Sequence, residues 1–109
     1  MRPKVLSYLG FAAKARKIAT GYNTSCFMME KKKVKLMLLA EDLSDNSKNK
    51  MISIADRYKV PYLIYGNMDE LSHITGMEGK GIFSITDDNL AKVISQEIDN
   101  NQSLEKEVF

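Results

Sequence analysis

The chain has 109 residues, 44% hydrophobic and 28% charged, proportions that suit one domain able to bury a core without metal or disulfide staples. Its single cysteine, Cys26, excludes an internal disulfide or a CxxC metal site and points to a reducing compartment, and no apolar run approaches the length of a membrane span or signal peptide, so the expectation is a cytoplasmic protein with no membrane partner. The net charge of +2 conceals a polarity: residues 1–59 hold thirteen Lys or Arg against five acids, net +8, and residues 60–109 hold three Lys against nine acids, net −6, a distribution able to offer a polyanion one strongly positive face.

In chain order, Pro3 suits a helix start, and Val5, Leu6, Leu9, Ala12 and Ala13 recur at helical spacing, which predicts a helix over residues 4–15. A short strand is expected at 17–20. A second helix then opens after Thr20-Gly21, over residues 22–31, with Tyr22, Cys26 and Met29 on its packed side. The continuous apolar run at 34–40 reads as a central strand covered on both faces. Ser44 or Asp45 caps the next helix, 45–58, whose Met51, Ile52, Ile54, Ala55 and Tyr58 point inward. Residues 60–65 form a strand with Pro61 at its beginning. Asn67 or Asp69 caps a short helix that stops at Gly76. Residues 80–85 are the last strand, and Asp87 caps a helix over 88–98. Residues 100–109 are polar and lack a period, so a domain of residues 1–99 is expected to end in a frayed tail. Alternating helices and strands predict a three-layer α/β/α sandwich, and on periodicity alone a mostly parallel sheet.

Three places hold side chains suited to chemistry. Gly21 lets the backbone approach a ligand at a helix start, where the first-turn N–H groups carry partial positive charge, and Asn23, Thr24 and Ser25 add donors and acceptors suited to base edges, phosphates and 2′-hydroxyls. Lys31, Lys32, Lys33 and Lys35 follow, fit both for phosphate contact and for a solvated helix end. The loop Gly76-Met77-Glu78-Gly79-Lys80-Gly81 can present Met77 to an unstacked base and Lys80 to a phosphate, but it lacks the spacing and following helix of a nucleotide-hydrolysing loop. Glu41-Asp42 ends the central strand, where ligands of open sheets bind. Catalysis there would need a further carboxylate and a lysine at neighbouring strand ends, and these positions offer the carboxylate of Asp87 but no lysine. No enzyme, metal, cofactor or small-molecule substrate is therefore expected.

Leu9-Gly10-Phe11-Ala12, Thr20-Gly21-Tyr22-Asn23 and the run from Val34 to Asp42, continued by Asn46-Ser47-Lys48, Val60-Pro61-Tyr62 and residues 71–76, resemble the ribosomal L7Ae/L30e superfamily, with its small bacterial YlxQ-type members the nearest in look. The resemblance implies an L30e-like sandwich with a mixed four-stranded sheet, in place of the mostly parallel one. It also implies RNA as partner, ribosomal or otherwise structured, often at kink-turns, with association with the ribosome. By that resemblance Gly21, Asn23 and Thr24 approach the RNA at the helix start and Asp42 and Lys48 lie near its surface, while the clustered charge of Lys31, Lys32 and Lys33 is expected, with Lys48, to meet phosphates. Met77, Glu78, Gly79 and Lys80 frame an extruded base. Thr24 stands where the family usually has glutamate and Phe27 where it has lysine. Loss of that lysine removes a charge-assisted contact worth about 1.5–3 kcal/mol. The competing reading is a protein-interaction module of the translation machinery on the same fold.

Overall fold

The computed structural model describes residues 4–77 and 81–107, with side chains to residue 99. Its elements are α1 (Lys4–Lys14), β1 (Ile18–Thr20), α2 (Tyr22–Glu30), β2 (Leu36–Leu39), α3 (Asp45–Arg57), β3 (Tyr62–Ile64), α4 (Met68–Thr75), β4 (Ile82–Ile85) and α5 (Asp88–Glu107). The sheet runs β1-β4-β2-β3. Only β2 and β3 are parallel; β4, last in sequence, lies antiparallel between β1 and β2. This corrects the mostly parallel sheet inferred from periodicity and agrees with the mixed sheet that the resemblance implies.

Both faces of the sheet are covered. On one, Val5, Leu9 and Ala12 of α1, Leu71 of α4 and Ile94 and Ile98 of α5 pack on Leu38, Phe83 and Ile85. On the other, Met29 of α2 and Met51 and Ala55 of α3 pack on Met37, Leu39 and Ile82. All four residues of β2 and of β4 are buried, which is why the run through β2 shows no alternation.

The packed side of α2 is Ser25 and Met29, not the expected line through Tyr22, whose ring is 40% exposed. The reason is a fully buried polar pair: Ser84 in the middle of β4 donates through Oγ to Ser25 Oγ at 2.8 Å. A buried hydroxyl needs a partner, and this one fixes the rotation of α2 about its axis. At the other end of the chain α5 continues to Glu107 where a frayed tail was expected. No Gly or Pro interrupts residues 88–109, and Gln102, Leu104, Glu105 and Lys106 are good helix formers, so nothing in that stretch stops the helix.

Three helices end in the same way. Arg16, Lys32 and Lys59 have φ of 59°, 59° and 58°, and the amide two residues beyond each last helical turn reaches back across it: Lys17 N to Ala12 O at 2.8 Å, Lys33 N to Met28 O at 3.0 Å, and Val60 N to Ala55 O at 2.8 Å. This left-handed cap is ordinarily a glycine position, and it costs a residue with a Cβ about 1–2 kcal/mol. Here it is filled each time by a cation.

Ser84→Ala leaves the buried Ser25 hydroxyl without its donor. Urea denaturation is expected to show a loss of about 1–3 kcal/mol, and the Ser25→Ala/Ser84→Ala double variant less than the sum of the two singles.

Candidate nucleic-acid interface

The register places the ends of β1, β2 and β3 and the beginning of β4 on one edge of the sheet, where α2, α3 and α4 all start. Two hydrogen bonds tie the start of α2 to β4: Gly21 N donates to Ile82 O at 3.1 Å and Thr20 Oγ1 to the same oxygen at 2.9 Å. On the other side of β4, Ala40 N donates to Gly81 O at 2.9 Å. A Cβ at Gly81 would sit 3.0 Å from Leu43 Cδ1 and from Cγ and Sδ of Met68, so this part of the edge is closely packed and a larger residue would have to displace those side chains.

The three helix starts differ in one respect. At α3, Ser44 accepts from Ser47 N at 3.2 Å. At α4, Asn67 Oδ1 accepts from Glu70 N at 2.8 Å and Asp42 Oδ1 from Met68 N at 2.9 Å. At α2 the cap residue is Gly21, with φ 96° and ψ 161° and no side-chain cap bond. Nothing lies within 4 Å of a Cβ built there, so glycine is required by the backbone angle and the space in front of it is open. The first-turn N–H groups of α2 thus keep their positive end for an incoming acceptor, and Asn23 and Thr24 stand exposed beside it.

Tyr22 joins this surface. The Lys50 ammonium, reaching over from α3, sits 5.2 Å from the centre of its ring, a cation–π contact that closes the seam between α2 and α3. Lys48 Nζ donates to Glu41 O and steadies the turn after β2.

Not every expected site residue gathers here. Asp42 is on this edge but its carboxylate is engaged in capping α4, and Met77 is half-buried against the α1, α4 and α5 core. Glu78, Gly79 and Lys80 lie outside the described residues. Lys31, Lys32 and Lys33 are at the far end of α2, about 13 Å along its axis at 1.5 Å per residue. Their end of the sheet is the opposite one, as the hydrogen bonds of Lys35 N to Ile85 O and of Thr86 N to Lys17 O show. The lysine cluster is therefore separate from the Gly21–Thr24 rim. Sequence reasoning missed Ser25 as an anchor and the Tyr22–Lys50 pair. One signal for the anchor was available, a lone serine inside the otherwise apolar 82–85 run.

Among the described residues, no group of three or more His, Cys, Asp and Glu is placed to hold a metal ion, and no helix is long and apolar enough to cross a membrane. The chain belongs to the ribosomal protein L7Ae/L30e/S12e/Gadd45 family, whose model matches residues 3–95. Within it the likeness is to YlxQ-type proteins. The chain is 34% identical over 88 residues to the RNA-binding protein YlxQ of Bacillus subtilis (strain 168), covering 80% of this chain and 88% of that protein. It is 30% identical over 91 residues to the RNA-binding protein YlxQ of Enterococcus faecium, covering 84% and 87%. A Bacillus halodurans protein of unknown function has a solved structure that superposes with a TM-score of 0.86 at 26% identity, covering 90% of this chain and 99% of that one.

Tyr65, just past the end of β3, titrates above its ordinary value: burial raises it first, and the carboxylates of Glu70 and Glu41 push the same way. The folded chain thus holds this proton to higher pH than the unfolded chain does. Its contribution to stability is present in full below the unfolded value, near 10, and is lost as pH rises through the folded one. A phenolate absorbance titration is expected to show a step above the ordinary tyrosine range, and Tyr65→Phe to remove it.

Proposed function

We propose that this protein binds structured RNA, ribosomal or kink-turn-like, without catalysis, at the edge where α2 begins. The observation that carries the reading is the contrast among the three helix starts. Two are closed by Ser44, Asn67 and Asp42, and the third is left open at Gly21 with Asn23 and Thr24 exposed beside it. Such a start accepts a phosphate or base acceptor without displacing a side chain. Family membership and the YlxQ relatives, both named as RNA-binding proteins, support the same conclusion. In this reading Gly21 and Asn23 read the RNA and Thr24 adds a hydroxyl. Lys48 and Lys50 supply local charge, with Lys80 joining them by its place in the sequence. Asp42 acts indirectly, by fixing the start of α4.

A protein-interaction role has one observation in its favour. Phe11 is 61% exposed and, with Tyr8, Leu90 and Val93, lines an apolar groove of about 390 Å³ between α1 and α5. That groove lies in the layer opposite α2, so a protein seated there would leave the RNA edge open.

Titration of a kink-turn RNA by gel shift at several salt concentrations tests the proposal. Binding is expected to weaken linearly in log–log with salt as phosphate counterions are released, and Asn23→Ala is expected to weaken kink-turn binding more than binding to an unrelated duplex. Restoring the family residues with Thr24→Glu/Phe27→Lys is expected to tighten kink-turn binding on the order of tenfold, the scale of one charge-assisted hydrogen bond. No salt-dependent binding to any structured RNA would reject the proposal.

A further inference from the structure

The segments leading into β1, β2 and β3 collect at the sheet edge opposite Gly21; they hold Arg16 and Lys17, Lys31, Lys32, Lys33 and Lys35, and Lys59, with Arg57 at the adjoining end of α3. Between the ends of α2 and α3 this edge opens into a cleft of about 390 Å³. Met29, Val34 and Val60 form its apolar floor, and Lys32, Arg57, Lys59 and the half-exposed ring of Tyr58 form its walls. No acidic residue lines it. An apolar floor, an aromatic ring and three cations are the elements with which proteins hold a nucleotide of a single strand, the ring stacking on the base and the cations meeting the phosphates.

Two further observations mark this cleft. Lys32 and Lys59 both stand in left-handed backbone, at φ 59° and 58°, where glycine would be the unstrained choice and where one cation per helix would already satisfy the macrodipole. The outer face of α2 also connects the cleft to the rim. Asn23, Phe27 and Lys31 follow one another at intervals of four residues, Phe27 is 56% exposed, and Lys31 Nζ lies 5.5 Å over its ring. At about 3.4 Å per stacked nucleotide, about four nucleotides span the length of α2.

We propose that the Lys32–Arg57–Tyr58–Lys59 cleft is a second RNA contact, which takes a single-stranded nucleotide continuing from the structured RNA held at Gly21–Thr24. This rests on the RNA-binding reading and extends it to the other edge of the sheet. It assigns a ligand to the cations that the rim does not use.

The test compares a kink-turn RNA with the same RNA carrying a short oligouridine extension at either end. Wild type is expected to bind one of the extended RNAs on the order of tenfold more tightly than the unextended one. Lys32→Gly/Lys59→Gly removes both charges while relieving both backbone positions, so its thermal unfolding is expected at or above the wild-type temperature. Its advantage for the extension is expected to vanish, with a log–log salt slope shallower by about two. Tyr58→Ala is expected to reduce the advantage and leave the slope unchanged. If wild type binds the unextended RNA but is indifferent to both extensions, or if the double glycine variant keeps the full advantage, the cleft is no RNA site while the rim proposal stands. If wild type binds neither form, the RNA-binding reading itself fails and the cleft proposal with it. Displacement of the extension by polyglutamate from wild type, together with polyglutamate binding tighter than that of the extension, would assign the cleft to an acidic protein and overturn the proposal.

Discussion

The Ile82 carbonyl organises the rim of this molecule. It accepts from both Gly21 N and Thr20 Oγ1, and so it couples the first strand and second helix to the last strand, more than sixty residues away in sequence. That coupling exists because β4 enters the sheet antiparallel, between β1 and β2. If β4 were added beyond β3 instead, the loop before it would be far from the start of α2. Two residues further along β4, the Ser25–Ser84 hydrogen bond repeats the connection inside the core. One bond sets where α2 begins, the other how it is turned, and together they decide that Asn23 and Thr24 face outward.

Much of this was legible in the chain. Element types and order follow from periodicity, and the caps at Ser44 and Asn67 and the stop at Gly76 are among the expected ones. Strand direction was not legible, because an apolar run such as 82–85 reads the same parallel or antiparallel. Its resolution came from resemblance. The face of α2 was misread because a buried polar pair looks like surface in a sequence, and Tyr22 looks like core. The α5 extension was missed for a related reason: polar residues after Ile98 show no period to mark a face, yet helix propensity does not require one.

The candidate site was legible in part. The glycine and the exposed polar residues after it are local in sequence, so Gly21, Asn23 and Thr24 stay together in space. The lysines do not obey proximity along the chain. A helix nine residues long carries its two ends to opposite edges of the sheet, so a cluster at residues 31–33 and a motif at 21–24 are close in number and far apart in the fold. Conversely, Lys32, Arg57 and Lys59 meet although α3 and a strand separate them in sequence. The positive half of the chain is thus distributed by topology: the segments leading into β1, β2 and β3 carry most of its cations, and the opposite end of the sheet carries Gly21, Gly66, Gly81 and the helix caps.

The outer strands β1 and β3 are only three residues long, and Pro61 sits immediately before β3 without an amide hydrogen to offer. Each margin therefore presents a ladder too brief to template pairing with another chain. A protein that neutralises its own repulsion on binding a polyanion is crowded against its neighbours at that moment. Blunt sheet margins keep molecules brought close together from pairing strand to strand.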